Sequence, residues 1–388
     1  MRRSVMRRTV RLQATAVALA VGLAGAVWPA PSPSAHAAVI AVHPGQSIQA
    51  AIDAAQPGAT ITIAPGTYHE NLLIAKDGIH LQGAGPGRTV LAPPAKPVPV
   101  CLALRATAVD TEPQAGVGGI CVANIDQQGN IRATVRDVSV TGFTVWGFPG
   151  MGIVFFGTSG IRAEHNVVAH NHDYGITAFV SRHGRFVNNT AYGSGDAGFY
   201  IGTSPQADFT IADNTAYDDL WGILARDSSQ GHITHNTVHD NCAGLVFLNT
   251  GALRGARDFV ATDNTSTHNN SYCPGSATGL PFTLTGLGIL IAGGEHIVLH
   301  GNTVRANQPS GPPTKLDGVA LHGGIVVVST ASIKMFAPFH GSAAAHSTIM
   351  DNTVRANQPF DLVYDGLGTG NHFVDNACAT STPPGLCR

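Results

Sequence analysis

The chain has 388 residues, of which 44% are hydrophobic and only 12% charged, and its formal net charge is −2. A nucleic-acid partner would require clustered lysine and arginine, which this composition does not supply. The length allows either two domains or one elongated domain with a continuous core.

Residues 1–37 have the pattern of a secretory signal peptide. Five arginines flank the start of an apolar run from Ala14 to Val27, and Ala35 to Ala37 offer a small-residue cleavage site. A membrane anchor needs about 20 apolar residues, and this run ends at Trp28 and Pro29. We therefore expect a secreted, extracellular protein with no membrane segment after cleavage. Without the five leader arginines, 17 basic residues face 24 acidic ones, a net charge near −7.

The segment 38–100 is expected to form an N-terminal cap and the first coils of the fold. Within it, Ser47 to Ala55 read SIQAAIDAA. Serine favours the start of a helix, and Ile48 and Ile52 would share one helical face. The sequence therefore predicts a short helix that covers one end of the core.

Two sequence markers recur with one period between residues 131 and 377. The first is an asparagine, at Asn166, Asn189, Asn214, Asn236, Asn264, Asn302, Asn352 and Asn376, with spacings of 23, 25, 22, 28, 38, 50 and 24 residues. The second is a glycine followed by a large apolar residue, which starts at Gly152 and recurs after 23, 23, 24 and 22 residues. Ile and Val alternate with other residues between the markers, which is strand periodicity. Each unit therefore predicts one coil of an all-β parallel solenoid with three strands per coil.

Both markers have a structural role in such a coil. Asparagine tolerates the left-handed backbone of a sharp bend, and stacked amides can hydrogen-bond between coils about 4.8 Å apart. The apolar residues after the glycines are predicted to stack inside the coils, at Ile153, Ile176, Phe199, Ile223, Leu245, Ile289 and Ile325. Each fully buried member would contribute roughly 1.5–3 kcal/mol.

The stretch VHPGQSIQAAIDAAQPGATITIAPGTYHENLLIAKDGIHLQGAG, from Val42 to Gly85, resembles the opening segment of the right-handed parallel β-helix superfamily. That superfamily contains pectate lyases, polygalacturonases and alginate epimerases. The resemblance implies one right-handed parallel β-helix domain over residues 38–388, with residues 378–388 as a C-terminal tail. It also implies that an active site would lie on the strand after each glycine, although the fold by itself does not define an activity.

Six cysteines follow the leader, and an even number in an oxidising compartment predicts disulfides. Spacing leaves the connectivity open, but proximity favours Cys101 with Cys121, Cys242 with Cys273, and Cys378 with Cys387. A zinc site is the less favoured alternative because the chain has no CxxC pair.

Inserted residues are expected to wall a groove on the outer face of the glycine-led strand. The long intervals between asparagines place insertions near residues 271–285, 308–321 and 331–346, around that strand. The bend before the strand carries a predicted acidic row, formed by Asp173, Asp196, Asp218 with Asp219, and Asp240. Aspartate is also a favoured bend residue, so the acidic row has a structural interpretation beside the functional one.

The functional interpretation makes two of these aspartates an acid/base pair. Asp196 and Asp219 are the leading catalytic candidates for glycoside cleavage, with Asp173 or Asp218 assisting. An inverting hydrolase needs carboxyl groups about 6.5–9.5 Å apart, and coils one and two steps apart bracket that range at about 4.8 and 9.6 Å. Alternatively, Asp173, Asp196 and Asp219 hold Ca²⁺ in a polysaccharide lyase. A lyase also needs a nearby basic residue, and Arg226 lies up to about 23 Å from Asp219 along an extended strand.

Aromatic and basic residues around the same strand are the substrate-binding candidates, namely His172, Tyr174, Phe179, Tyr200, Trp221 and Arg226. Aromatic rings in a walled groove suit stacking on sugars. Alternatively, the inserted loops simply pack on these rings. His172, beside Asp173, is also an acid-base candidate.

Together these patterns predict a secreted, monomeric protein that acts on an extracellular polysaccharide, with glycoside cleavage as the leading reaction. The second hypothesis is a non-catalytic carbohydrate-binding or surface-adhesion protein, and the third is a Ca²⁺-dependent lyase. Of the four polygalacturonase motifs, the paired aspartates are matched here, by Asp218 and Asp219. The NTD, GHG and RIK motifs are not matched. The DPHD of alginate epimerases is replaced by ITAF after Tyr174 and Gly175.

Overall fold

The computed structural model describes residues 38–101, 116–253, 255–275, 280, 282–312 and 315–388. The predicted signal peptide lies outside these residues. The chain from Ala37 to Arg388 forms one compact unit, in which three long parallel sheets are visited in turn, one strand of each per coil. The predicted all-β parallel helix with three strands per coil is confirmed. None of the helices in the described ranges is long and apolar enough to cross a membrane.

The first sheet has 12 strands and the second sheet has ten. The strands of the first sheet are Val39–Val42, Thr60–Ile63, His80–Gly83, Ser139–Thr141, Arg162–Glu164, Arg185–Val187, Phe209–Ala212, Ser229–Thr234, Arg257–Thr262, Val298–His300, Thr348–Met350 and His372–Val374. The strands of the second sheet are Gly66–His69, Thr89–Ala92, Thr144–Trp146, Val167–Ala169, Thr190–Tyr192, Thr215–Tyr217, Thr237–His239, Thr265–Thr267, Thr303–Arg305 and Thr353–Arg355.

The third sheet has 11 strands and includes the glycine-led strands. They are Leu72–Ile74, Ile120–Val122, Ile153–Phe156, Ile176–Phe179, Ala197–Gly202, Trp221–Arg226, Ala243–Leu248, Leu287–Ala292, Gly323–Val328, Leu362–Tyr364 and Ser381–Thr382. Three short pairs complete the strands, namely Asn124–Ile125 with Ile131–Ala133, Val135–Arg136 with Thr158–Ser159, and Lys315–Leu316 with Val319–Ala320. Two 3-10 helices, Thr330–Ser332 and Lys334–Phe339, lie in the third predicted insertion.

Parallel pairing places equivalent positions of successive coils side by side. In the third sheet Ile153 pairs with Ile176, which pairs with Phe199. The column continues in register through Ile223, Leu245, Ile289 and Ile325. All of these side chains are at most 1% exposed and belong to one core that runs through the coils. The predicted inward stack is confirmed.

The asparagine markers form a buried ladder of hydrogen bonds along the coils. From Asn166 to Asn376, each Nδ2 donates to the Oδ1 of the next marker at 2.9–3.0 Å. Each backbone N–H also donates to that same oxygen. The eight side chains are at most 2% exposed, which confirms their structural role.

The left-handed residue of this bend is the one before each asparagine, and the prediction that the asparagine itself takes that conformation was wrong. Positive φ values occur at His165, Asn188, Asp213, His235, Asp263, Gly301, Asp351 and Asp375. Asn, Asp, His and Gly tolerate this region best. Because the preceding residue makes the bend, the asparagine side chain is free to turn into the ladder.

The N-terminal helix spans Ile48–Ala54 and covers one end of the core, as predicted. Ser47 caps it, since its Oγ accepts from the N–H of Ala50 at 3.1 Å. Ile48 and Ile52 are 0% and 2% exposed. Glu70, which the sequence did not single out, also accepts from the N–H of Ile48 at 2.8 Å.

The three disulfides join Cys101 to Cys121, Cys242 to Cys273, and Cys378 to Cys387. These are the pairs that proximity favoured, and they use all six cysteines of the chain. Cys378 and Cys387 pack against the core near the C-terminus. The last disulfide therefore ties the tail to the final coil.

Replacing Asn236 with alanine should lower the free energy of unfolding by about 3 kcal/mol, because buried polar partners lose their hydrogen bonds. Its Nδ2 donates to the carbonyl of Ile211 and to Asn264 Oδ1, both at 2.9 Å. Its Oδ1 accepts two bonds from Asn214 at 3.0 Å. Urea unfolding followed by circular dichroism measures the loss. The exposed control His232→Ala should change stability by less than about 0.5 kcal/mol. An equal loss of stability in both variants would show that the hydrogen bonds of the ladder do not stabilise the fold.

Candidate active-site pocket

The outer face of the third sheet is a second apolar layer that the insertions cover. Phe179 and Tyr200, two of the predicted sugar-stacking residues, are 2% and 0% exposed. Leu280 and Phe282 from the first insertion and Leu316 from the second pack against this layer. The two rings also pack against each other, with centroids 5.0 Å apart, so neither presents an open face to a sugar.

A second polar ladder runs along the bend between the second and third sheets. Asn241 Nδ2 donates to Asn269 Oδ1, and Asn269 Nδ2 to Asn307 Oδ1, both at 2.9 Å. Asn357 continues the ladder, and Asp361 ends it. At the other end, Asp219 takes the place of an asparagine. Its Oδ1 accepts from the N–H of Ser194 at 2.7 Å, and its own N–H donates to Asn241 Oδ1 at 3.0 Å.

The glycine markers leave no room for a side chain, because a Cβ would meet a carbonyl oxygen of the next coil and, at several of them, an atom of this ladder. A Cβ on Gly222 would lie 3.0 Å from Asn241 Nδ2, and one on Gly288 would lie 2.8 Å from Asn307 Nδ2. At Gly198 the atom in that place is Asp219 Oδ2. The Asp219 carboxyl therefore occupies the position of a ladder amide and points into the coil.

Asp219 is adapted to the neutral carboxyl form. It is 2% exposed, and burial raises its pKa well above the ordinary value, with Asp218 and Asp196 adding to the effect and the hydrogen bond from Ser194 opposing it. In the next coil the equivalent atom, Asn241 Nδ2, donates to the carbonyl of Ala216 and to the next ladder oxygen. Asp219 Oδ2 is buried and has no hydrogen-bond partner among the described residues, so no donor stabilises a negative charge on that oxygen.

The predicted acidic row is therefore not formed as one row. Asp173 and Asp196 do lie on adjacent coils, since the N–H of Asp196 donates to the carbonyl of Asp173 at 3.2 Å. Asp219 belongs to the ladder, one position earlier in its bend. Asp218 and Asp240 are exposed bend residues with φ of 56° and 57°. The prediction counted positions back from each glycine. This count failed because Ser194 stands four residues before Gly198, whereas Asp219, its equivalent in the next coil, stands three residues before Gly222.

One pocket on the outer face of the third sheet brings several predicted site residues together. Tyr174, Asp196, Trp221 and Arg226 line its polar end. The remaining wall is apolar, and all three predicted insertions contribute to it, through Leu280 and Phe282, Leu316 and Leu321, and Ile333, Met335 and Phe336. The pocket has a volume of about 110 Å³.

Arg226 supplies the positive charge of this pocket. Its side chain is 27% exposed. Burial lowers the pKa of Arg226, but the nearby Tyr200, Tyr174, Asp227 and Asp196 outweigh this and raise it. The distance of about 23 Å expected along the strand concerned Asp219. Asp196 lies on the neighbouring coil, lines the same pocket as Arg226 and contributes to the raised pKa of Arg226.

A glycine makes room for this arrangement. Gly202 pairs with Arg226 in the adjacent strand, and a Cβ at Gly202 would collide with the ring and hydroxyl of Tyr200. Tyr200 therefore lies along its own strand, over Gly202 and toward Arg226. Tyr174 stacks on Tyr200 with ring centroids 4.5 Å apart, which places both phenols near the guanidinium.

Asp227 forms an ion pair with Arg226. The sequence did not identify Asp227 as a site residue. Its Oδ1 accepts from the N–H of Thr250 at 2.8 Å, and its Oδ2 accepts from Thr250 Oγ1 at 2.7 Å. Arg226 Nε lies 3.6 Å from that Oδ2. Asp227 is 2% exposed, and burial raises its pKa despite these bonds. The adjacent Arg-Asp pair in the sequence was the available signal.

Two residues predicted for the site, His172 and Asp173, do not line this pocket. His172 is exposed and does not line it. Asp173 is 8% exposed and also lies outside the lining. Within the described ranges, no group of three or more His, Cys, Asp or Glu side chains is arranged to hold a metal ion. The expected Ca²⁺ ligands Asp173, Asp196 and Asp219 do not converge, because Asp219 is committed to the ladder.

The chain belongs to the β-helix family, described as the right handed beta helix region, which matches residues 116–258 and 151–382. This agrees with the three parallel sheets and with the predicted right-handed parallel β-helix. None of the curated proteins matches the chain.

Several solved structures share the fold. The A-module of mannuronan C-5 epimerase AlgE4 from Azotobacter vinelandii is 18% identical, with a TM-score of 0.54 over 86% of this chain and 94% of that one. An alginate lyase from Paenibacillus sp. str. FPU-7 is 15% identical, with a TM-score of 0.53 over 87% of this chain and 99% of that one. The catalytic domain of a GH87 alpha-1,3-glucanase is 14% identical, with a TM-score of 0.53 over 90% and 66%. At these identities the likeness concerns the fold.

Replacing Asp219 with asparagine should stabilise the protein at neutral pH. A carboxyl whose folded pKa is raised stabilises the fold below its unfolded pKa of about 3.9 and loses that contribution as pH rises toward its folded pKa. The two proteins should therefore be equally stable in acid. The variant should gain about 1.4 kcal/mol per pH unit between the two pKa values. Thermal and urea unfolding between pH 3 and 8 measure the difference.

The matched control is Asp361→Asn, at the end of the same ladder. Asp361 Oδ2 accepts from the N–H groups of Ala379 and Thr380 at 3.0 and 3.3 Å. Its Oδ1 accepts from Asn357. An amide has one acceptor oxygen too few for these donors, so this variant should be destabilised at neutral pH. A loss of stability in Asp219→Asn at pH 7 would overturn the neutral-carboxyl interpretation.

Proposed function

We propose that this protein is a secreted enzyme that acts on a polysaccharide containing uronic acid, with the polar end of the pocket as its reaction centre. The observation that carries the proposal is the meeting of Arg226, Tyr174 and Asp196 around one pocket. The three disulfides support an oxidising, extracellular location. The alginate lyase and mannuronan epimerase of the same fold support the substrate class.

Arg226 is the group that would bind the uronate carboxylate. A guanidinium presents a planar fork of donors that matches a carboxylate. The protein without its leader carries an excess of acidic residues, so an anionic polymer needs a local cation. Arg226 lines the pocket, and its Nε lies 3.6 Å from Asp227 Oδ2, which helps to hold the guanidinium in place. Neutralising the carboxylate also stabilises the negative charge that develops when the adjacent C5–H bond breaks.

Asp196 and Tyr174 would transfer the protons. A carboxylate can accept a proton and a phenol can donate one. In a β-elimination, Asp196 takes the proton from C5, the released electron pair forms the C4–C5 double bond, and the bond from C4 to the glycosidic oxygen breaks. Tyr174 protonates that departing oxygen. The products are an unsaturated uronate and a new chain end.

Elimination fits this pocket better than the hydrolysis that leads the sequence-based hypotheses. A two-carboxylate hydrolase needs both carboxyl groups at the substrate. Among the described residues that line the pocket, Asp196 is the one that carries a carboxyl group. Asp219 lies in the ladder, and Asp173 is outside the lining. The sugar-binding hypothesis relied on the aromatic side chains of Tyr174, Phe179, Tyr200 and Trp221, which are at most 6% exposed.

Three single variants should each lower kcat by a factor of about 100 or more on the polymer that proves active. They are Arg226→Gln, Asp196→Asn and Tyr174→Phe. Arg226→Lys keeps the charge but loses the fork, so its main effect should be a higher KM. Alginate, pectate and neutral glucans are incubated with the protein, with and without a chelator. Ultraviolet absorbance detects unsaturated product, and a reducing-end assay detects any cleavage.

The control is Asp240→Asn, an exposed bend carboxylate outside the pocket, which should keep full activity. Reducing ends without unsaturated product would replace elimination by hydrolysis. Equal activity in Asp196→Asn and Asp240→Asn would remove the reaction from this pocket. Binding of polymer without any product would leave a carbohydrate-binding protein.

A further inference from the structure

The pocket has a second part for which the elimination has no use. Beyond the polar end, its floor is made of outward side chains of the third sheet, with Leu224, Val246 and Leu290 in one column. Leu248 and Ala292 follow Arg226 in the neighbouring column. Leu321 and Phe336 close it from the insertions. We call these seven residues, all of which have hydrocarbon side chains, the apolar compartment; Arg226 is not part of it.

A bare uronate does not account for the apolar compartment. Its ring carries hydroxyl and carboxylate groups, which lose hydrogen bonds to water when apolar walls surround them. Burying a hydrocarbon group there is favourable, at about 0.8 kcal/mol per carbon. The matching ligand therefore combines an anionic sugar at Arg226 with a hydrocarbon substituent beside it.

Size and distance restrict that substituent. The whole pocket measures about 110 Å³, whereas a 150 Å³ apolar cavity is enough to hold benzene. Only a small group fits inside the pocket, so the sugar rings themselves would lie at its mouth and reach into it with their substituents. Leu248 and Ala292 lie one and two coils beyond Arg226, about 4.8 and 9.6 Å away along the axis. That range reaches the sugar next to the one whose carboxylate Arg226 would hold.

We propose that the apolar compartment binds a short O-acyl group, from acetyl to butyryl, on the sugar adjacent to the reacting uronate. The proposal rests on the proposed function, because the polar end must first place a uronate at Arg226. The enzyme would then prefer an esterified uronate polymer over the bare polymer. A free short-chain carboxylate, with its anion at Arg226 and its tail in the same compartment, is the alternative source of this chemistry.

Two variants change the apolar compartment in opposite directions. Ala292 is 3% exposed on its floor, and Ala292→Leu would fill it. Leu290 is also 3% exposed, and Leu290→Ala would enlarge it. Opposite shifts in the preferred acyl length separate a change of pocket size from a general loss of folding. Thermal unfolding of both variants checks that they are folded.

The experiment measures binding by calorimetry to trisaccharides from alginate and pectate, each bare, O-acetylated or O-butyrylated. All proteins carry Asp196→Asn so that the ligands stay intact, and sodium butyrate is tested alone. One acetyl group should tighten binding about fourfold or more. Ala292→Leu should bring the ratio of acetylated to bare affinity to about one. Leu290→Ala should move the preference toward butyryl.

Each outcome decides between the two proposals. Equal affinity for bare and acylated trisaccharides, with product formed from both by the unmutated enzyme, overturns the acyl site and leaves the proposed function standing. Absence of both binding and product overturns the proposed function together with the acyl site. Saturable binding of butyrate alone, without preference for acylated sugar, assigns the compartment to a free carboxylate instead.

Discussion

The structure depends on one constraint, the hydrogen bonding of each coil to the next at equivalent positions. Backbone pairing sets the register, and the buried asparagine side chains repeat it at 2.9–3.0 Å. Because an amide both donates and accepts, a column of asparagines satisfies itself without water. The inward apolar stack follows from the same register. Each coil can therefore change its outer residues and its insertions freely, as long as its ladder and core positions are kept.

Asp219 illustrates how strongly the ladder positions are restricted. In the second ladder it replaces an amide by a carboxyl, with burial that disfavours the charged form. Asp361 tolerates the same exchange because it stands at the ladder's end, where the N–H groups of Ala379 and Thr380 satisfy its second oxygen. The two aspartates have identical chemistry, but only Asp361 has backbone donors for its second carboxylate oxygen.

The pocket uses the outer surface that the coils leave free. Arg226 is held by Asp227, which Thr250 fixes in turn, and the bare backbone of Gly202 lets Tyr200 lie toward the guanidinium. A partly buried cation with phenols and a carboxylate around it is a costly arrangement unless its partners are fixed. Such a cluster, beneath loops from three separate insertions, is typical of a functional site rather than of a solenoid surface.

The sequence by itself determined the coil, because a period near 23 and strand alternation are local features that repeat. Those features predicted the sheets, the inward stack, the helical cap, the disulfide pairs and the three insertions. Tertiary structure alone decided which aspartates face outward, because a bend shorter by one residue moves Asp219 from the surface to the ladder. It also placed Arg226 and Asp196, from neighbouring coils, in the lining of one pocket, an arrangement that distance along the chain conceals. Spacing in sequence measures the path of the backbone, whereas a site forms from side chains that meet between coils.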